Sequence, residues 1–214
     1  ELIINSDVKE KLDLGDGFTN IALFGVDSRE GNLGAGSRSD CIIVASLNNQ
    51  TKEIRMVSIY RDTLLNLSDG TYQKCNAAYS YGGPQMAINM LNMNLDLDIE
   101  DYVTVDFSAI ADGIDMLGGI DIEITEEELK ELNYHLVGTA MAIGRESPFV
   151  QHAGMVHLNG MQATTYARIR STAGGDFTRT ERQRLVIEKV VEKIKKTDLQ
   201  TLDAMINELF SHVS

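Results

Sequence analysis

The chain has 214 residues, 43% apolar and 24% charged, a length and balance that suit one globular domain with its own core and exclude a disordered polymer. A formal net charge of −13 argues against a nucleic-acid binder, whose affinity comes mainly from neutralising phosphates, and no apolar run reaches the ~20 residues that span a bilayer. The N-terminus also lacks the basic-then-apolar order of a signal peptide.

A polar lead-in occupies residues 1–18, and the first buried strand is expected at Ile21–Val26, stopping at Asp27–Arg29. A loop rich in Gly, Asn and Ser, Glu30–Ser37, leads through Arg38, Ser39 and Asp40 to a second strand, Cys41–Leu47. A polar turn at Asn48 and Asn49 and a third strand, Ile54–Ile59, predict an antiparallel hairpin whose far end delivers Arg61 and Asp62. Asp27 and Asp40 end one strand and begin the next. They converge if those strands are antiparallel neighbours, and Mg²⁺ or Mn²⁺ would relieve their repulsion. The plainer alternative has Asp27 capping a turn and Asp40 paired with Arg38. Cys41 and Cys75 have no CxxC and no neighbouring histidine, so they read as thiols or one disulfide and not as a zinc site.

Pro84 suits the first turn of a helix predicted over Gln85–Leu95, in which Met86, Met90 and Met93 either pack a core or adapt to an apolar ligand. Strand Asp101–Phe107, helix Ser108–Leu117 and strand Ile120–Ile124 imply an α/β sheet, and Thr125 followed by Glu126, Glu127 and Glu128 is a helix start. Residues 133–157 have mixed character, and their histidines are assigned no metal. Leu158–Ile169 reads as a helix, and Thr197–Val213 as a final amphipathic helix. The expected fold is α/β, a single domain with a central mixed β-sheet flanked by helices.

Chemistry concentrates between Tyr166 and Arg184, which hold half of the chain's ten arginines. Thr178 and Glu181 fit a capping box, after which three- and four-residue spacing sets Arg179, Arg182, Gln183 and Val186 on one core-facing side. Cations pointing inward at a helix N-terminus oppose its dipole by a few tenths to ~1 kcal/mol each unless an anion is bound. Arg168 and Arg170 lie just upstream, and converging guanidinium groups favour a di- or polyphosphate. The competing reading is a set of solvated arginines paired with carboxylates of this acidic chain.

Seven stretches in order resemble the LytR-CpsA-Psr family: GVDSR (Gly25–Arg29), RSD (Arg38–Asp40), SIYRDT (Ser58–Thr63), KCNAAYSYGG (Lys74–Gly83), DMLGGIDIEI (Asp115–Ile124), LNGMQATTYARIR (Leu158–Arg170) and GDFTRTERQR (Gly175–Arg184). The resemblance covers residues 19–196, and residues 197–214 would pack as a helix on the same domain. It implies a cell-wall phosphotransferase that moves a glycopolymer, of teichoic acid or capsule type, from a polyprenyl-pyrophosphate carrier to peptidoglycan. It also implies a domain on the extracytoplasmic face of the membrane, held by an N-terminal membrane helix outside this sequence. By matching position, Asp27 and Asp40 would hold Mg²⁺. Arg29, Arg38, Arg61, Lys74, Arg168, Arg170, Arg179, Arg182 and Gln183 would surround the pyrophosphate. Arg38 and Arg61 would assist the chemistry, with Asp40 or Asp62 as the base. An apolar space walled by the Met-rich helix, Ile110, Ile114, Val186 and Val190 would shelter the prenyl chain. The sequence departs from the family pattern at Tyr60, where Pro is usual, and at Cys41 and Cys75. Two alternatives use the same charges: a pyrophosphohydrolase with water as acceptor, and a non-catalytic module that only binds a lipid phosphate.

Overall fold

The computed structural model describes residues 2–3, 17–26, 33–172 and 175–198. Asp27, Arg29, nearly all of the lead-in and all but the first two residues of the helix expected over Thr197–Val213 lie outside the described residues. The chain divides into two compact units at the Asp106/Phe107 boundary.

The first unit is built on a four-stranded mixed sheet, in the order β3-β2-β1-β6. β1 (Phe18–Val26) runs antiparallel to β2 (Ser39–Asn48), which pairs with β3 (Ile54–Ser58); on its other side β1 is parallel to β6 (Asp101–Asp106). The expected hairpin is therefore present. Its turn is closed by the Asn48 side chain, which accepts from the backbone N–H groups of Gln50 and Thr51 at 2.9 Å each. Period-two alternation along β1 and β2 sends Ala22, Phe24, Val26, Ile42 and Val44 to one face, where they form a core with Ala78, Tyr79, Ala87, Ile88, Met90 and Leu91 of helix α1 (Asn76–Leu95). A small ribbon, β4 (Leu64–Asn66) with β5 (Tyr72–Lys74), precedes α1.

α1 begins nine residues before the expected Gln85, at Asn76, and is broken at Gly82 and Gly83. Gly83, with φ 64° and ψ −158°, has a backbone conformation that only glycine adopts without strain. Pro84 then opens the second segment, where its missing N–H costs nothing.

The second unit contains α2 (Phe107–Met116), β7 (Ile120–Ile124), α3 (Glu126–Ile143), β8 (Gly154–Leu158), α4 (Gly160–Tyr166) and α5 (Asp176–Ile194). β7 does not extend the four-stranded sheet, as strand-helix-strand spacing suggested. It pairs antiparallel with β8, out of the stretch left unassigned at 133–157. Leu158 ends β8 and so is not helical; α4 starts at Gly160, capped by Asn159, whose side chain accepts from the Gln162 N–H at 2.9 Å. Gly160 is required at that turn, because an added Cβ would lie 1.9 Å from the Ala111 carbonyl oxygen of α2. The core of this unit joins Ile114, Ile120, Ile122, Ile124, Leu132, Val156, Leu158, Tyr166, Ile169 and Val186.

Candidate functional site

In the first unit, charged residues gather where β2 begins and where the segment after β3 turns towards α1. Arg61 Nη1 donates to Asp40 Oδ1 at 2.5 Å, Arg61 Nε lies 3.6 Å from Asp62 Oδ1, and Lys74 Nζ lies 3.1 Å from Asp62 Oδ2. These four side chains form a row of alternating sign. The chain locks Arg61 in place for a local reason: the first N–H groups of a helix need acceptors, and α1 has no side-chain cap. The Asn76 N–H takes the Arg61 carbonyl at 3.1 Å, and the Cys75 N–H takes the Thr63 carbonyl at 2.8 Å. The free, buried Cys75 thiol adds a bond to the Tyr60 carbonyl at 3.2 Å, and burial pushes its pKa up to about 11, so it stays a thiol at neutral pH. Cys41 is likewise not in a disulfide. Arg38, at the start of β2, is exposed and makes no ion pair with a described residue.

The sheet register aligns further groups with this row. Val26, the last residue of β1, is opposite Ser39 on one side and Asp106 on the other, and a bulge falls between Gly25 and Val26. Gly25 permits the close strand approach there, since a Cβ would stand 2.9 Å from that of Cys41. Asp40 and the buried Asp106 thus belong to strands on either side of the carboxyl end of β1, the end at which open α/β sheets bind ligands. Asp106 was missed from sequence because it reads as an ordinary strand-end residue. Among the described residues no group of three or more His, Cys, Asp or Glu side chains is placed to hold a metal ion.

In the second unit the arginines surround the turn between α4 and α5. Arg168 stacks over the Phe107 ring, its guanidinium carbon 4.1 Å from the ring centre, while Arg170 is exposed. Arg179 and Arg182 are both buried, as the inward spacing predicted, and Gln183 is half-buried. The helix start is different from the expected one: α5 begins at Asp176 with Gly175 as its cap residue, so Thr178 and Glu181 lie inside the helix and not at a capping box.

Arg182 has protein acceptors on all three nitrogens. Nε donates to Glu128 Oε1 at 2.9 Å, Nη1 to the Ile169 carbonyl at 3.1 Å and Nη2 to Thr172 Oγ1 at 2.5 Å, and the guanidinium lies 5.7 Å from the Tyr166 ring centre. Burial alone would raise the Glu128 carboxyl; hydrogen bonds from Thr125 and the Arg182 charge outweigh it and hold Glu128 below the usual range. Burial, with the negative charge of Glu128, pushes the Tyr166 phenol up to about 12. Glu128 was legible as a helix cap, which it is, but its bond to Arg182 joins residues 54 apart in sequence.

The candidate prenyl-binding walls fall in two separate cores: Met90 belongs to that of the first unit, and Ile114 and Val186 to that of the second. An open groove of about 520 Å³ lies along α3, lined by Leu136, Met141, Arg145 and Phe149 among others, and none of the predicted site residues lines it.

The LytR-CpsA-Psr family model matches residues 4–214. The teichoic acid transferase TagU of Bacillus licheniformis, a polyisoprenyl-teichoic acid–peptidoglycan transferase, is 34% identical over 176 residues, 81% of this chain and 51% of that protein. TagV of Bacillus subtilis, of the same description, is 33% identical over 165 residues, 75% of this chain and 40% of TagV. The chain therefore spans about half the length of such relatives or less. A solved structure of TagT bound to LIIa-WTA superposes with a TM-score of 0.71 at 25% identity, covering 86% of this chain and 66% of that one.

Proposed function

Since the chain belongs to the LytR-CpsA-Psr family, we propose that it is a phosphotransferase that moves a glycopolymer of teichoic acid or capsule type from a polyprenyl-pyrophosphate carrier to a peptidoglycan hydroxyl. The observation that carries this reading is the Asp40–Arg61–Asp62–Lys74 row, which sets an anchored arginine between two carboxylates. Such a row provides both things the reaction needs: a proton acceptor for a sugar hydroxyl, and fixed positive charge for phosphate oxygens.

In this reading one of the two carboxylates flanking Arg61 takes the proton from the acceptor hydroxyl. The resulting oxygen bonds to the glycopolymer-side phosphorus, the bond from that phosphorus to the bridging oxygen breaks, and polyprenyl phosphate leaves. Arg61, Arg38 and Lys74 balance the charge that spreads over the phosphate oxygens, and Arg29, Arg168, Arg170, Arg179 and Gln183 are the further residues that the family resemblance assigns to the pyrophosphate. Asp40 and Asp27 are the carboxylates we assign to Mg²⁺, or to Mn²⁺ in its place. Partly exposed carboxylate oxygens such as those of Asp40 are the hard donors these ions prefer, and the ion would supply further charge neutralisation at the pyrophosphate. The domain would work at the extracytoplasmic membrane face, anchored by a preceding helix; among the described residues no helix is long and apolar enough to cross a membrane.

The test is product analysis with a lipid-linked glycopolymer, a peptidoglycan acceptor and Mg²⁺, with and without EDTA. The reading requires covalent glycopolymer on peptidoglycan, lost with EDTA or Asp40→Ala. Release of free phosphorylated polymer despite the acceptor would make the protein a hydrolase, and bound lipid without any product would make it a binding module.

A further inference from the structure

One face of α3 is turned towards the arginine turn. Glu128, Glu131 and His135 follow one another at three- and four-residue spacing, so they share that face, and each contacts the segment between Tyr166 and Arg182. Ser171 Oγ donates to Glu131 and lies 3.1 Å from His135 Nε2. Glu128 carries the most bonds. Its Oε2 accepts from the Thr125 N–H at 2.9 Å and from Thr125 Oγ1 at 3.2 Å; its Oε1 accepts from Arg182 Nε at 2.9 Å and from the Tyr166 hydroxyl at 3.2 Å. Arg182 in turn holds the backbone of Ile169, the residue between Arg168 and Arg170, and the side chain of Thr172.

We propose that Glu128 is a positioning residue for the phosphate-binding turn: through Arg182 its carboxylate fixes the Tyr166–Thr172 segment and so aims Arg168 and Arg170. The proposal rests on the reading above, in which those two arginines meet a pyrophosphate. Arg182 then acts through the turn, not on the ligand. Only a carboxylate fits the position, because both oxygens must accept. Glutamine has one acceptor oxygen, so it keeps either the cap or the Arg182 bond and sets an amide N–H against a donor at the other.

The experiment measures binding of geranylgeranyl pyrophosphate and of geranylgeraniol, which lacks phosphate, to the wild type and to Glu128→Gln, Arg182→Lys, their double variant and Thr125→Ala, with a thermal melt of each. Lysine keeps the charge of Arg182 but cannot span Glu128, Ile169 and Thr172 together. Glu128→Gln and Arg182→Lys are expected to weaken the pyrophosphate probe roughly ten- to hundredfold, as when the partner that orients a binding group is removed. The double variant should lose no more than the worse single one, and geranylgeraniol should bind all of them alike. Thr125→Ala removes both bonds of the cap that use the hydroxyl and leaves the Arg182 bond, so it should lower the melting temperature without selective loss of the pyrophosphate probe. Wild-type affinity in Glu128→Gln, additive losses in the double variant, or equal losses for both probes would overturn the proposal and leave the parent reading standing. A wild type that binds geranylgeranyl pyrophosphate no better than geranylgeraniol would overturn both.

Discussion

Each unit holds an arginine beside a carboxylate, and the two pairs do different work. The Arg182–Glu128 pair in the second unit has side chains 4% and 14% exposed, and its donors and acceptors are used within the protein. The Arg61–Asp40 pair in the first unit is 20% and 22% exposed and opens onto Asp62 and Lys74, which are 40% and 63% exposed. Burial decides the difference. A buried charge must be fully matched by the protein, because removing either partner strands the other in a poor solvent. A half-exposed charge can remain partly matched by water, and can exchange that water for a ligand. The buried pair therefore acts only through the backbone it holds, and the exposed row can meet a ligand directly.

The sharpest break between them is in stability. Arg182→Ala should cost about 3 kcal/mol or more, the range for a buried pair that loses one partner, read as a lower midpoint in urea unfolding. Arg61→Ala should cost no more than about 1 kcal/mol in the same measurement, since partly exposed pairs contribute little. Equal losses from the two would erase the distinction.

The converse holds for turnover. Arg61→Ala should lower kcat by about a hundredfold or more, the usual effect of deleting one preorganised group that meets transition-state charge, with the melting temperature nearly unchanged. Activity within a few fold of wild type would remove Arg61 from the chemistry.

A smaller difference should appear in acid. Glu128 is depressed in the folded state, so its contribution to stability is present above the unfolded carboxyl value of 4.5 and is lost as pH falls through the lower folded value. Stability of the wild type should fall across that window, and that of Glu128→Gln, already lower at neutral pH, should fall less steeply. Parallel acid limbs in urea midpoints taken from pH 7 down to pH 3 would contradict the assignment.

The sequence showed the two regions unequally. The Asn48–Asn49 turn announced the hairpin, and the hairpin announced that Arg61 and Asp62 would emerge near the start of β2. That is local information, carried by turn chemistry and period-two alternation. The spacing of Arg179, Arg182 and Val186 likewise disclosed their shared inward face. What Arg182 would meet there was hidden, because Glu128 is remote in sequence and already had a sufficient role as a cap. β8 was hidden for a related reason: GMVHL is five residues interrupted by glycine and histidine, and only its pairing with β7 makes it a strand. The start of α5 was misplaced because Thr178 and Glu181 imitate a capping box, while the chain uses Gly175, at φ 54°, to turn into the helix instead.

The smallest expected effect belongs to Lys74, at the exposed end of the row. Its ammonium group is 3.1 Å from Asp62, but a pair this exposed is screened by salt and loses much of its attraction to side-chain entropy. Lys74→Ala should leave stability unchanged within about 0.5 kcal/mol. Its consequence should lie in how the pyrophosphate is reached, since an exposed cation beside an anion site raises association more than it tightens the complex. Association of geranylgeranyl pyrophosphate, followed by stopped flow at low and high salt, should therefore slow in Lys74→Ala at low salt and converge with the wild type as salt rises. Dissociation should change less than association. A loss of the same size at every salt concentration would mean that Lys74 acts by direct contact with the bound phosphate and not through the long-range field of the row.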